Sequence, residues 1–411
     1  MATIKRKKSN IPNILFTLFA ILFLLVLVFK FHYNISSEMI TSTNTVYQPT
    51  QNENTIDNQS SSPKEATTIN MTVVGDIMCH NTQYQDAYNK STDTYDFSHV
   101  FTNIASDLRN ADITIGNLET TFAGKEKGYS GYPTFNTPEA LATNLKELGF
   151  DVLSTANNHS LDSGYKGLVS TIETLDQVGI SHTGTYSSKE AQDEILIKDV
   201  NGIKIAFLSY TYGTNGIPVP KDKNYCINLI DKEAIKKDIE KAKSLGVDLI
   251  SVNMHWGNEY RLKPTAEQEN LADFLFQNGV DLILGSHPHV LEPMEKREIT
   301  LEDGTKKDDF LIYSLGNFVS GQNKEYTNHS IILKLTITKH TNNTISIDSI
   351  NYIPIYVDDR KRTSPERYKI LNIDKSISAY ENKSDSSVST QLYEKLKKAR
   401  KATEDILGNK F

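Results

Sequence analysis

Five short stretches of this chain set ionisable or amide side chains directly behind apolar runs. They are Gly75-Asp76 with His80 four residues on, Asn117-Leu118-Glu119, Asn157-Asn158-His159, His255-Trp256-Gly257-Asn258-Glu259 and Ser286-His287-Pro288-His289. Gathered in one place, they make a donor set for divalent metal. A carboxylate bridges two cations, while imidazoles and an amide oxygen fill the outer positions. Two cations about 3.5–4 Å apart polarise a phosphoryl oxygen and generate a hydroxide nucleophile. A histidine that is not a ligand then protonates the leaving oxygen. Nitrogen and oxygen donors without thiolate suit manganese, iron or zinc and do not choose among them. Taken singly, each stretch has an ordinary structural reading: an Asx turn at Asp76, a polar loop capping a helix at Asn157–His159, a packed histidine beside Trp256. His287 and His289 are more specific, because the proline between them stiffens a turn that presents both imidazoles at one edge.

Convergence requires elements that deliver these groups to one rim. Apolar strand patterns fall at Met71–Gly75, Ile113–Gly116, Val152–Thr155, Ile203–Tyr210, Leu249–Met254, Leu282–Gly285 and Phe310–Ser314. Helical patterns lie between them at Val100–Arg109, Pro138–Leu148, Gly167–Val178, Lys232–Leu245 and Ala266–Gln277. Gly149, Gly179, Gly246 and Gly279 each follow a helical stretch, where a left-handed cap favours glycine. Alternation of this kind predicts an α/β domain, and in open α/β sheets ligands bind outside the carboxyl ends of the strands. Every stretch above sits at such an end. After Ile331 the pattern turns strand-rich, at Ile331–Ile337 and Ile345–Val357, and Gln391–Leu407 reads as a peripheral helix. The domain is expected over 69–357, followed by a charged extension over 358–411.

The N-terminus has a different character. Lys5, Arg6, Lys7 and Lys8 precede an apolar run from Ile14 to Phe29, close to the roughly 17–20 residues that cross a bilayer as a helix. Positive charge stays cytoplasmic, so residues 1–10 are expected inside, 11–31 in the membrane, and the rest outside the cell. A cleaved signal peptide would want small residues next, whereas Lys30, Phe31, His32 and Tyr33 follow; an uncleaved signal anchor is the expectation. Residues 32–68 are rich in Ser, Thr, Asn and Gln, a composition that cannot bury enough surface to fold. As a coil they would reach about 30–35 Å. The net charge of −7, with no basic stretch interleaved with aromatics, argues against a nucleic-acid partner. The two cysteines, Cys79 and Cys226, fit neither a disulfide framework nor a zinc–thiolate site.

The ordered series Gly-Asp-Ile-Met at 75–78, Asn-Leu-Glu at 117–119, Ala-Asn-Asn-His at 156–159, His-Trp-Gly-Asn-Glu at 255–259, Ser-His-Pro-His-Val at 286–290 and Ser-Leu-Gly-Asn-Phe at 314–318 resembles the CapA family. That family is associated with synthesis or export of poly-γ-glutamate capsule. It is similar in fold to the calcineurin-like metallophosphoesterases, a four-layer sandwich of two packed mixed sheets flanked by helices. The resemblance covers about 71–357. It implies Asp76, Glu119, Asn158, His255, His287 and His289 as metal ligands, Glu119 as the bridge and His159 as the acid. His80, Asn117, Glu259 and Asn317 are further candidates, Asn317 as a residue that orients a ligand histidine or simply a turn amide. The sequence departs from the metallophosphoesterase pattern in three places: Met78 where a histidine is usual, Asn117 where an aspartate is usual, and Ser286 for the glycine before the histidine pair. These changes leave one metal as an alternative to two. The resemblance implies a membrane-anchored accessory protein that meets the capsule polymer or its membrane-bound synthase. An extracellular metal-dependent hydrolase and a non-catalytic binding scaffold are the other readings. Tyr132, Pro133, Thr134 and Phe135 are expected in a loop at the edge of the site.

Overall fold

The computed structural model describes residues 65–300, 304, 306–360 and 366–408; the expected anchor, and the linker up to residue 64, lie outside them. Among the described residues no helix is long and apolar enough to cross a membrane. The strands in chain order are β1 (Thr67–Ile77), β2 (Tyr88–Asn89), β3 (Thr94–Tyr95), β4 (Ile113–Leu118), β5 (Val152–Ser154), β6 (Ser181–Thr183), β7 (Leu196–Val200), β8 (Ile203–Thr211), β9 (Leu249–His255), β10 (Leu282–Ser286), β11 (Leu291–Thr300), β12 (Lys306–Leu315), β13 (Asn317–Val319), β14 (His329–Lys339), β15 (Ile345–Asp359) and β16 (Tyr368–Asn372).

Two sheets carry the fold. The first runs β16-β15-β14-β1-β4-β5-β6, with β13 also paired to β1; the second runs β11-β12-β10-β9-β8-β7. Their centres are parallel, β1-β4-β5-β6 in one and β8-β9-β10-β12 in the other, and their outer strands antiparallel. Strands buried on both faces read as continuous apolar runs, and β1 is buried without a break from Met71 to Ile77. One face of each sheet meets the other: Met71, Val73 and Ile115 share a core with Phe207, Leu284 and Ile312. The outer face of the first sheet packs Val74, Ile77 and Leu153 against Phe101, Leu145 and Leu175 of its helices. The outer face of the second packs Leu208, Val252 and Met254 against Ile235, Ile239 and Leu271. The result is the expected mixed α/β sandwich of four layers.

Local chemistry accounts for most boundaries. The helix Ala266–Gln277 starts at a capping box of Thr265 and Gln268, which satisfies two backbone donors reciprocally. Gly179 closes the helix Gly164–Val178 at φ 75°, and the other three predicted cap glycines also have positive φ. The helix expected over Val100–Arg109 is instead two short ones, Ser98–Phe101 and Ala105–Arg109. Thr102 turns its hydroxyl back onto the His99 carbonyl at 3.2 Å, a local bond that competes with helix propagation. Beyond residue 358, β16 pairs antiparallel with β15. The helices Ile373–Glu381 and Thr390–Leu407 bury Ile377, Leu392 and Leu396 against Tyr356 and Leu371. Cys79 and Cys226 are both buried and free.

One buried carboxylate is tied to the first turn of the helix Ala266–Gln277. Glu292 is fully buried on β11 and accepts from Gln268 Nε2 at 2.7 Å, while its other oxygen has no partner. Burial pushes its carboxyl up to about 7. The folded state therefore holds the proton more tightly than the unfolded chain. The resulting stability is complete below about pH 4.5 and is lost as pH rises to 7, a span worth roughly 3 kcal/mol at most. Glu292→Gln should accordingly raise the melting temperature at pH 8 and leave it nearly unchanged at pH 4.5. Equal shifts at both pH values, measured by circular dichroism, would contradict the assignment.

Candidate metal centre

Three strand ends of the first sheet meet two of the second. Asp76 lies near the end of β1, in register with Asn117 of β4 on one side and Asn317 of β13 on the other. Across the gap, His255 ends β9 and is paired with Ser286, which ends β10 just before His287. Glu119 follows β4, and Asn157-Asn158-His159 follows β5. All these side chains are buried. The close approach of β1 to the turn between β12 and β13 explains Gly75: a Cβ there would lie 1.9 Å from the Gly316 carbonyl oxygen. Asp76 N–H donates to that same oxygen at 2.9 Å.

Asp76 organises the centre. Its Oδ1 accepts from Asn117 Nδ2 at 2.8 Å, and its Oδ2 from His289 Nδ1 at 3.1 Å and the His287 backbone N–H at 3.3 Å. Asn317 Oδ1 also lies 3.1 Å from His289 Nδ1. Two acceptors on Nδ1 fix the proton there and leave the Nε2 lone pair, 3.7 Å from Glu119 Oε1, turned into the centre. Asn317 thus faces His289 with its amide oxygen, while its Nδ2 holds the turn through Ser320, Gln322 and the Thr327 carbonyl. His287 and His289 both take positive φ, 99° and 60°, a backbone strain that persists only where surrounding bonds impose it. The hydrogen bond from His287 N–H to Asp76 is one of them; that of Tyr260 N–H to the Pro288 carbonyl, at 2.8 Å, is another. His255 Nε2 lies 2.8 Å from Asn158 Oδ1 and 3.6 Å from Glu119 Oε1.

Whether these residues fit a cation is decided by what they leave unpaired. Both carboxylate oxygens of Glu119, Asn117 Oδ1 and His287 Nδ1 are buried without a hydrogen-bond partner, an arrangement that costs stability unless something else binds them. Two donor groups are close enough to share an ion: Glu119 with His287 and His289, and Glu119 with Asp76 and His255, the ligand atoms of each within 4.8 Å of one another. Glu119 belongs to both, which is the position of a bridge. Burial, then repulsion from Asp76, Glu259 and Asp162, holds its carboxyl well above the usual range. Burial and the neighbouring imidazoles hold His255 well below its ordinary value and His287 down to about 3. His255 and His287 are therefore neutral, with lone pairs to offer, and the donor set fits a divalent cation.

Six of the expected ligands, Asp76, Glu119, Asn158, His255, His287 and His289, thus come together, and Asn117 braces them. Two further candidates do not join. His80 accepts the Gly321 N–H on Nδ1 at 3.2 Å and stands against Phe135, ring centres 5.2 Å apart; it braces a loop. Glu259 is exposed, because its loop turns outward at Gly257. Met78, where metallophosphoesterases place a histidine, is buried. His159 is held from behind: its Nδ1 donates to Asp162 Oδ2 at 2.7 Å, and that oxygen also accepts the Phe135 N–H at 2.6 Å. Its Nε2 is 3.5 Å from Asn215 Nδ2, and Asn215 Oδ1 accepts from Asn158 Nδ2 at 3.1 Å. Asp162 and Asn215 were missed by sequence reasoning. The spacing of Asp162, three after His159, was the available signal; Asn215, in a turn more than fifty residues on, offered none. Tyr212 was also missed; its ring lies parallel to His255, centres 6.2 Å apart, and 4.6 Å from His287. Phe135 packs on His159 at 4.7 Å, so the loop expected at the edge does reach the site.

A four-layer α/β/β/α sandwich with buried carboxylate, amide and imidazole donors at its strand ends is the class these observations define. The family model described as bacterial capsule synthesis protein PGA_cap matches residues 70–322, so the chain belongs to that family. The capsule biosynthesis protein CapA of Bacillus anthracis is 31% identical over 279 residues, 66% of this chain and 64% of that protein. The PGA biosynthesis protein CapA of Bacillus subtilis (strain 168) is 31% identical over 279 residues, 66% of this chain and 68% of that protein. The chain therefore spans just under two thirds of the length of the Bacillus anthracis relative. Among solved structures, the calcineurin-like phosphoesterase YfkN of Bacillus subtilis is similar over 70% of this chain and 90% of its own, at 15% identity and a TM-score of 0.43.

The unpaired Glu119 gives this centre a testable signature. Glu119→Gln removes a carboxyl that burial and Asp76 make costly to keep inside, so the metal-free protein should gain about 1–2 kcal/mol of stability at pH 7. It should also lose the rise in melting temperature that saturating manganese or zinc gives the parent chain, about 2.7 kcal/mol at a hundredfold excess over Kd. Calorimetry with and without metal checks both; an undiminished metal shift in the variant would contradict the assignment.

Proposed function

We propose that this protein is a membrane-anchored, extracytoplasmic member of its family that takes part in making or exporting poly-γ-glutamate capsule through a divalent-metal centre. The observation that carries the metal half is Glu119, with both carboxylate oxygens unpartnered amid three imidazoles and Asp76. The polymer half is supported by the family and by the printed descriptions of the two CapA relatives, one of capsule and one of PGA biosynthesis. The basic cluster at 5–8 and the apolar run at 14–29 support the anchor and its orientation.

Asp76, Glu119, Asn158, His255, His287 and His289 would hold the metal, and Asn117 and Asn317 would set the angles of Asp76 and His289. When bound, a divalent cation supplies Lewis-acid polarisation of a carbonyl or phosphoryl oxygen. The chain's own residues do the rest. Tyr212 screens His255 and His287 on one side, and Asp162 fixes the His159 ring with its proton on Nδ1. When the ring carries a second proton, His159 Nε2 is the atom that can pass it to a leaving group. That dyad is the specific feature favouring a second reading, hydrolysis of a phosphoester or of the polymer's own amide bond.

Gene deletion in a polymer-producing strain, followed by complementation, tests both readings. Deletion should lower cell-bound polyglutamate, the intact gene should restore it, and Glu119→Gln should not. His159→Ala that holds metal yet fails to restore polymer would favour hydrolysis; full restoration would favour binding without chemistry. Unchanged polymer after deletion would end the capsule reading.

A further inference from the structure

The side chain of Asn215 takes no part in holding the turn it occupies. It belongs to the loop 212–217 that follows β8, where the residue is exposed and left-handed at φ 50°. That loop closes on other bonds: the Ile217 N–H donates to the Thr214 carbonyl at 2.9 Å, and the Thr214 hydroxyl to the Ile217 carbonyl at 2.6 Å. It hangs from the end of β9 through the Tyr212 N–H, which donates to the His255 carbonyl at 3.1 Å. The Asn215 amide instead turns inward and meets two residues of the site, His159 and Asn158.

An amide presents an oxygen and an NH2 group of nearly the same shape, so either end of Asn158 could face the centre; only the oxygen binds a cation. A run of forced choices decides which end it is. His159 Nδ1 donates to Asp162 Oδ2 at 2.7 Å, and with that proton on Nδ1 the other ring nitrogen is an acceptor. Asn215 must therefore turn Nδ2 to His159 Nε2, at 3.5 Å, which leaves its Oδ1 to accept from Asn158 Nδ2 at 3.1 Å. With Nδ2 so engaged, Asn158 keeps Oδ1 among the metal donors, 2.8 Å from His255 Nε2. The Tyr212 hydroxyl also reaches the Asn158 side chain, but a hydroxyl can donate or accept and imposes no choice. We propose that Asn215 is a positioning residue of the metal centre: it carries the orientation fixed by Asp162 and His159 across to Asn158 and holds that residue's amide oxygen toward the cation. The inference rests on the metal-centre reading proposed above.

Glycine adopts the left-handed backbone of position 215 without strain, so Asn215→Gly removes the amide and keeps the turn. Manganese affinity is measured by titration calorimetry on the full chain in detergent. Asn215→Gly should weaken it about tenfold or more, the loss typical of a partner behind a metal ligand. Asn215→Asp retains an acceptor for Asn158 Nδ2 and should restore the affinity of the parent chain. In an Asn158→Ala background, Asn215→Gly should change affinity by less than about twofold, because the group it acts through is gone. If Asn158→Ala binds no manganese, the comparison of aspartate with glycine decides. Parental affinity in Asn215→Gly, a loss with aspartate as large as with glycine, or the same loss in both backgrounds would overturn the inference and leave the metal reading standing. A parent chain that binds no manganese would remove the metal reading and this inference with it.

Discussion

The carboxylate of Asp76 ties the two sheets together at the point where the site forms. It sits on β1 of the first sheet, fully buried, and takes hydrogen bonds from Asn117 of the same sheet and from His287 and His289 in the turn leaving the second. Hydrogen bonds to an ionised group contribute about 1.5–3 kcal/mol each. Together they offset the cost of taking the charge out of water. The same bonds impose the left-handed backbone of His287 and His289, so the direction of both imidazoles depends on a residue more than two hundred positions away. Gly75 makes the arrangement sterically feasible, because only hydrogen fits against Gly316 there.

Around this anchor the centre is electrostatically unfinished. Glu119 lies near Asp76, Asp162 and Glu259, all of which push its carboxyl upward after burial has done so. His255 and His287 are kept neutral by burial and by the neighbouring imidazoles. Ordinary cores avoid such clusters, since unpaired buried charge is costly. A divalent cation reverses the balance: it supplies positive charge to two carboxylates and accepts the lone pairs of the imidazoles at once.

The sequence was most legible where one physical signal dominated. Continuous apolar runs located β4, β8, β9 and β10, because strands buried on both faces have no polar alternation to confuse them. Polar residues behind those runs then identified Asp76, Glu119, Asn158, His255, His287 and His289. Short edge strands such as β6, and partly buried ones such as β7 and β11, escaped notice because they carry no continuous apolar run. His80 and Glu259 were drawn in by spacing alone: His80 serves as the N-cap of the helix Asn81–Ala87, and Glu259 lies past the Gly257 turn with its side chain exposed. Asn215 and Tyr212 were invisible for a different reason. Their roles depend on loops folding over the rim, and nothing in local pattern encodes which loop lies over which strand end.

Anomalous scattering from crystals of the full chain grown with manganese would test the central claim most directly. The account predicts a peak bonded to Glu119 and to imidazole nitrogens of His255, His287 or His289 at about 2.0–2.2 Å, one such peak for a single ion and two for a bridged pair. Crystals grown at millimolar manganese with no anomalous density among these side chains, or with density only at surface carboxylates, would contradict it.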